Sequence, residues 1–235
     1  MLRALLFDFN GVLVNDEPVH LELFRKVLEE EGLSLTSEDY YGEYLGLDDR
    51  GCLSAVLAHA GRAPSPQLVT RLIARKAAYY QERMHREGFP YFAGGIELVK
   101  EAKAKGLMLG VVSGALRDEI EQALRRAGVR DLFKTVISAE DVVEGKPDPE
   151  GYRRGLEELS SLPPYPDRLV HPHEVLAIED SPAGLAAASA VGLVTLGVAQ
   201  TYPEDRLRDA DGVVANLAGL NVERLQQLYG DRTRS

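Results

Sequence analysis

The chain has 235 residues, of which 45% are hydrophobic and 27% charged, a composition that is typical of globular proteins and excludes collagen-like, coiled-coil and disordered chains. Its net charge of −10 opposes contact with a phosphate backbone, so we expect no nucleic-acid partner. The single cysteine, Cys52, cannot form an internal disulfide, which favours a reducing, cytoplasmic compartment. The apolar stretch before Asp8 is too short for a signal peptide or a membrane span, so we expect no membrane partner.

The first predicted element is a buried strand over residues 3–9, an apolar run that leads into the turn pair Asn10-Gly11. Amphipathic helices with no strand among them follow, at 17–30, 54–59 and 67–84. A segment rich in glycine and proline, 88–95, ends this helical run. The pattern predicts an all-helical cap domain over residues 17–91.

Short apolar strands alternate with helices in the rest of the chain. Helices are predicted at 95–105, 117–127, 149–159 and 182–191. Strands are predicted at 107–113, 134–138, 174–179 and 193–198. This alternation is typical of a parallel sheet covered by helices on both faces. The predicted fold class is therefore α/β, with a Rossmann-like parallel sheet core formed by residues 1–16 and 92–235 around the inserted helical cap domain.

Polar side chains follow the predicted strands, where ligands bind in open parallel sheets. They are Asp8 and Asn10 at the end of the first strand, Ser113 and Gly114 at the end of the second, Lys146 in a later loop, and Glu179 and Asp180 at the end of the fourth strand. Carboxylates at two strand ends suit Mg²⁺. An ammonium, a hydroxyl and backbone N–H groups that open a helix suit the oxygens of a phosphoryl group.

These four segments, in this order and with a helical insert after the first, resemble the haloacid dehalogenase superfamily. Within it, the chain resembles the branch of β-phosphoglucomutase-like and phosphoglycolate phosphatase-like proteins, over nearly its whole length. The resemblance implies a Mg²⁺-dependent phosphatase of small phosphorylated metabolites, of the sugar phosphate or phosphoglycolate type. Such an enzyme forms an aspartyl-phosphate intermediate.

The resemblance also implies a role for each matching residue. Asp8 is expected to be the nucleophile, Lys146 a catalytic and phosphate-binding cation, and Ser113 and Gly114 the remaining phosphate-binding residues. The expected metal ligands are Asp8, Asn10 through its backbone carbonyl, Glu179 and Asp180. For Glu179, the alternative is that it orients the ligands instead of binding the metal itself.

The chain departs from the family at Asn10, where the phosphatases and mutases have an aspartate that acts as general acid and base. An amide cannot exchange a proton near neutral pH, which forfeits a factor of about 10² to 10⁴ in rate. A second family aspartate is replaced by Asn15. Because both differences fall in one short motif, we favour a natural variant over an engineered change.

The substitution at position 10 leaves several functions open. The first is a phosphatase with weakened turnover, and the second is a catalytically impaired protein that binds or senses a phosphorylated metabolite. The third is a phosphomutase of the β-phosphoglucomutase type. Dehalogenation needs no magnesium, so the Glu179–Asp180 pair disfavours it. Phosphonate cleavage would need a cap lysine, and the sequence assigns that role neither to Lys26 nor to Lys76.

Two cap residues are candidates for substrate binding. The segment 45–50 resembles the substrate-contacting segment of the mutase-like branch, and its Arg50 is expected to bind a distal phosphate or hydroxyl, with a solvated arginine as the alternative. His20 matches a family histidine, although a histidine on an amphipathic helix also serves structural roles. The chain has no helical heptads, which favours a monomer.

Overall fold

The computed structural model describes residues 1–232, and the chain forms two compact units. The sheet unit comprises Met1–Asn15 together with the chain from Tyr91 onward, and the helical unit comprises Asp16–Pro90. None of the helices within residues 1–232 is long and apolar enough to cross a membrane.

The strands and helices have the following bounds. The strands are β1 (Ala4–Phe7), β2 (Met108–Val112), β3 (Thr135–Ile137), β4 (Val175–Glu179), β5 (Val194–Val198) and β6 (Gly212–Val214). The α-helices are α1 (Glu17–Glu29), α2 (Ser37–Asp39), α3 (Asp49–His59), α4 (Pro66–Glu87), α5 (Gly95–Ala104), α6 (Arg117–Arg126), α7 (Glu150–Ser161), α8 (Pro182–Ala190) and α9 (Val222–Arg232).

The sheet unit is organised around one parallel sheet with the strand order β3-β2-β1-β4-β5-β6. All residues of β1 and β4 are buried, as expected for central strands covered on both faces. The chain adds β2 and β3 on one side of β1 and then β4, β5 and β6 on the other. The connections after β1 and β4 therefore diverge at the carboxyl edge of the sheet, which is where open α/β sheets bind ligands.

The helical unit packs α1, α3 and α4 around its own apolar core, which includes Phe24, Leu53 and Leu72. Two side chains that carry a formal charge, Asp16 and Lys76, are buried in this unit. The Lys76 ammonium has no solvent exposure and lies 2.6 Å from Asp49 Oδ1 and 2.7 Å from His20 Nδ1. The Asp49 carboxylate compensates the buried positive charge.

The structure confirms the predicted α/β fold class and corrects the element list. Helix α3 begins at Asp49, five residues before the predicted start at 54, because the Asp48 carboxylate caps it by accepting a hydrogen bond from the Gly51 N–H at 2.7 Å. The sequence analysis also missed β6 and α9. A three-residue edge strand is too short to show a periodic pattern.

A substitution at Gly94 measures how tightly the sheet unit is packed around this residue. It has a φ of +88°, and a Cβ there would lie 2.1 Å from the Leu217 carbonyl oxygen. Gly94→Ala should lower the free energy of unfolding by about 2–4 kcal/mol, through backbone strain and overpacking. Gly106 has a similar φ of +80° with nothing within 4 Å, so Gly106→Ala should lose only about 1 kcal/mol. Urea denaturation measures both losses, and equal losses would contradict the packing argument.

Candidate active site

Three carboxylates meet at the carboxyl edge of the sheet. Asp8 directly follows β1, Glu179 is the last residue of β4, and Asp180 follows it. The Asp8 N–H donates to the Ile178 carbonyl at 2.9 Å, which extends the β1–β4 pairing to the site. Ligand oxygens of the three residues all lie within 4.8 Å of one another, and all three side chains are buried.

Two glycines make room for these carboxylates. Gly11 has a φ of +74°, and a Cβ there would lie 1.8 Å from Asp180 Oδ2. Gly184, in the first turn of α8, faces the Glu179 carboxyl carbon, and a Cβ would lie 2.0 Å from it. Any larger residue at either position would displace a carboxylate. The sequence analysis gave neither glycine a role at the site, although each follows an acidic motif at short distance.

Lys146 bridges two of the three carboxylates. Its Nζ lies 2.8 Å from Asp8 Oδ1 and 2.5 Å from Glu179 Oε1. Burial disfavours the charged ammonium, but Asp8 and Glu179 outweigh this effect and raise the pKa of Lys146 above its ordinary range. Lys146 therefore remains a cation at neutral pH and neutralises part of the local negative charge.

The three carboxylates carry more negative charge than the single Lys146 ammonium can neutralise. Burial raises the pKa of Asp180 well above its ordinary range, and the charges of Asp8 and Glu179 raise it further. Burial also raises the pKa of Glu179, where Asp8 adds to the effect and Lys146 opposes it. One ammonium facing three carboxylates leaves room for a further cation. Because the donors are hard oxygens, the residues present fit Mg²⁺.

The residues predicted to bind phosphate lie after the neighbouring strands of the same sheet. The Ser113 hydroxyl follows β2, lies 3.4 Å from Asn10 Oδ1 and accepts a hydrogen bond from the Ala115 N–H at 3.2 Å. Gly114, which lies between Ser113 and Ala115 in the chain, is exposed. The sheet unit thus brings together Asp8, Asn10, Ser113, Lys146, Glu179 and Asp180 at its carboxyl edge.

The two cap candidates belong to the helical unit. His20 is buried in α1, where its ring stacks on Tyr80 at 5.1 Å and its Nε2 lies 3.4 Å from Asp16 Oδ2. Arg50 is exposed in the first turn of α3. Lys76, the buried partner of His20, was not predicted as a site residue. Its one sequence signal is weak: this lysine continues the apolar stripe of α4 between Leu72 and Tyr80 at helical spacing.

Three further residues support the site from the sheet unit. The Tyr152 hydroxyl donates to Glu179 Oε1 at 2.6 Å, and burial raises the pKa of Tyr152 well above its ordinary range, so the phenol acts as a donor. After β5, Gln200 Nε2 donates to the Gly11 carbonyl at 2.8 Å, and Thr201 forms a hydrogen bond to Asp180. No motif in the sequence marks these residues, because only the folded sheet brings them to the site.

Comparison with known protein families gives a match over most of the chain. The family model described as haloacid dehalogenase-like hydrolase matches residues 5–198. The chain is 28% identical over 228 residues to validoxylamine A 7'-phosphate phosphatase of Streptomyces hygroscopicus subsp. limoneus, covering 92% of this chain and 95% of the relative. It is 29% identical over 226 residues to the phosphorylated carbohydrates phosphatase of Thermotoga maritima, covering 91% and 93%.

Solved structures show the same fold. β-Phosphoglucomutase from Clostridium difficile superposes with a TM-score of 0.86 over all of both chains, at 21% identity, a likeness that concerns the fold alone. An aspartate-to-asparagine mutant of CbbY from Rhodobacter sphaeroides, in complex with xylulose-(1,5)bisphosphate, has a TM-score of 0.84 at 26% identity and covers 96% of this chain and 99% of that chain.

Asp180→Asn should stabilise the metal-free protein at pH 7. The pKa of Asp180 is raised in the folded protein above its value of about 3.9 in the unfolded chain. Its contribution to the free energy of unfolding is therefore fully present below about pH 3.9 and is lost as the pH rises. The advantage of the variant should therefore shrink as the pH falls towards 4. Urea denaturation in a chelator measures the difference at each pH.

The exposed Asp209 provides the control for this experiment. Asp209→Asn removes the same charge from the surface and should show no comparable gain at pH 7. If Asp180→Asn and Asp209→Asn behave alike across the pH range, the repulsion among the buried carboxylates is not a determinant of stability.

Proposed function

The chain belongs to the haloacid dehalogenase-like hydrolase family, and from that premise we propose that it is a Mg²⁺-dependent phosphatase of small phosphorylated metabolites that works through an aspartyl-phosphate on Asp8. The observation that carries this proposal is the position of Asp8, within 2.8 Å of the Lys146 ammonium and beside the Glu179–Asp180 pair. A nucleophile, a charge-neutralising cation and a cation-binding pair are thereby concentrated at one edge of the sheet.

The proposed chemistry begins with Asp8. Attack of its carboxylate oxygen on phosphorus forms the new phosphorus–oxygen bond, breaks the bond to the alcohol and leaves an aspartyl-phosphate. Two anions repel each other in this step, and Lys146 lowers the repulsion because it remains charged. Ser113 offers a hydroxyl, and the N–H groups after it offer further donors to the phosphoryl oxygens.

Asp8, Glu179 and Asp180 would hold the magnesium ion, together with the backbone carbonyl of Asn10. A bound Mg²⁺ supplies positive charge to the phosphoryl oxygens. This assignment rests on the clustering of three buried carboxylates and on the raised pKa values of Glu179 and Asp180, which a cation would relieve.

The relatives support phosphorylated carbohydrates as the substrate class. The names of two relatives specify phosphatases, one for validoxylamine A 7'-phosphate and one for phosphorylated carbohydrates. Arg50 is the proposed contact for a distal phosphate or hydroxyl, since it is exposed and its guanidinium can form two parallel hydrogen bonds to such a group. His20 is the second proposed substrate contact, and Lys76 holds its ring from the interior of the helical unit.

Asn10 supports a second candidate function, a phosphometabolite-binding protein with impaired turnover. Its amide cannot protonate the leaving alcohol or activate the water that hydrolyses the aspartyl-phosphate. An aspartate-to-asparagine mutant of CbbY was captured with xylulose-(1,5)bisphosphate, so a protein of this fold that carries such a change still binds a phosphorylated ligand. The two candidates share the binding site and differ in turnover.

With Mg²⁺ and an aryl phosphate, we expect a burst of about one phenolate per protein followed by slow release. The aryl leaving group departs without a general acid, whereas hydrolysis of the aspartyl-phosphate still needs a base. Stopped-flow absorbance measures the burst, and intact mass spectrometry detects the added phosphoryl group. Asp8→Ala should abolish both signals. A burst that persists in this variant would exclude Asp8 as the nucleophile, and a wild-type chain with neither burst nor adduct would favour the binding protein.

Asn10→Asp should raise kcat for an alkyl phosphate about a hundredfold or more, because it restores a group that can exchange a proton. Steady-state phosphate release measures the effect. Asn216→Asp is the matched control, since it makes the same chemical change at an exposed residue outside the candidate site and should leave kcat within about twofold. If the two variants are indistinguishable, the missing general acid does not limit the reaction.

A further inference from the structure

Tyr152 extends from the hydrophobic core of the sheet unit to the candidate active site. It lies in the first turn of α7, is fully buried and packs with Leu6, Val112 and Ile137. The ring is therefore held by the core on the face of the sheet that α7 covers. Its hydroxyl reaches the last residue of β4, where it donates to Glu179 Oε1 at 2.6 Å.

The Glu179 carboxylate is held at both oxygens. Oε1 lies 2.5 Å from Lys146 Nζ in addition to the Tyr152 hydroxyl, and Oε2 accepts from the Ser181 hydroxyl at 3.3 Å. Gly184 closes the remaining side, because its backbone packs directly against the carboxyl group. A carboxylate with this many contacts has one orientation.

We propose that Tyr152 is a positioning residue that holds Glu179 in the orientation needed to bind a divalent cation, an inference that rests on the magnesium site of the proposed function. Tyr152 and Lys146 share Glu179 Oε1, but they differ in how firmly they are held. Lys146 is a long side chain that also contacts Asp8, and a phosphoryl group next to Asp8 would attract its ammonium. The core holds the Tyr152 ring in place, so a phosphoryl group next to Asp8 would not draw its hydroxyl away from Glu179.

Packing alone does not account for a tyrosine at this position. Phenylalanine would fill the same apolar space without placing a hydroxyl group at a buried position, where it requires a hydrogen-bond partner. The hydroxyl finds that partner in a proposed cation ligand. Residues that orient metal ligands in this way contribute about 10-fold to 100-fold to metal affinity.

The test compares Tyr152→Phe with a matched variant, Tyr229→Phe. Tyr229 is also buried in the sheet unit, and its hydroxyl donates a hydrogen bond of the same 2.6 Å length to the His173 carbonyl. His173 precedes β4, at the strand end opposite Glu179. Isothermal titration calorimetry with MgCl₂, without substrate, gives the Kd of each full-length variant, and circular dichroism melts show that each is folded.

We expect the Mg²⁺ Kd to rise about tenfold or more in Tyr152→Phe and to stay within about twofold of wild type in Tyr229→Phe. An unchanged Kd in a folded Tyr152→Phe would overturn the positioning role and leave the proposed phosphatase intact. A wild-type chain that binds no Mg²⁺ would overturn the magnesium site and the positioning role together, which separates the two failures.

A second measurement on the wild-type chain avoids dependence on the variant. With tyrosine labelled at the ζ carbon by ¹³C, the Tyr152 resonance should shift when Mg²⁺ saturates the site, since the hydroxyl donates to a carboxylate that changes its charge environment. The Tyr229 resonance should not move. A Tyr152 resonance that is insensitive to Mg²⁺ would contradict the proposal.

Discussion

The arrangement of the sheet unit depends on concentrating negative charge where β1 and β4 end. Three buried carboxylates lie there because the strand order places two acidic strand ends side by side. Carboxylates repel each other most strongly when water is excluded, so the fold needs compensating groups at the same place. Lys146 supplies one cation, Tyr152 and Thr201 supply hydrogen bonds, and two glycines provide the space that the carboxylates occupy.

The helical unit buries a cation, the Lys76 ammonium, in addition to the Asp16 carboxylate. Lys76 has no exposure and is compensated by Asp49, the first residue of α3. The neighbouring residue, Arg50, is the candidate substrate contact. The ion pair between the buried Lys76 and the partly exposed Asp49 therefore holds the first turn of the helix that presents Arg50. In both units, the residues that stabilise a buried charge are adjacent to the residues proposed to act on the substrate.

Much of the fold and of the site could be predicted from the sequence because strand-end motifs are local signals. The alternation of short apolar strands with helices predicted the α/β class, and Asp8, Lys146, Glu179 and Asp180 each lie within a few residues of a predicted strand or helix boundary. Tyr152, Gln200 and Thr201 could not be predicted, because their contacts with the site join segments that are distant in the chain. Lys76 was missed because helical periodicity alone does not distinguish a buried lysine from a solvated one.

Asp8 and Glu179 lie on opposite sides of the helical insertion in the sequence, although their strands are neighbours in the sheet. During synthesis, β1 and the whole helical unit leave the ribosome before β4 exists. The proposed nucleophile, Asp8, therefore has neither its neighbouring carboxylates nor Lys146 until nearly the whole sheet can assemble. Non-local pairing of this kind forms late in folding. A nascent or truncated chain that lacks β4 thus contains Asp8 without the groups beside it, and the proposed phosphoryl chemistry depends on β4 having joined the sheet.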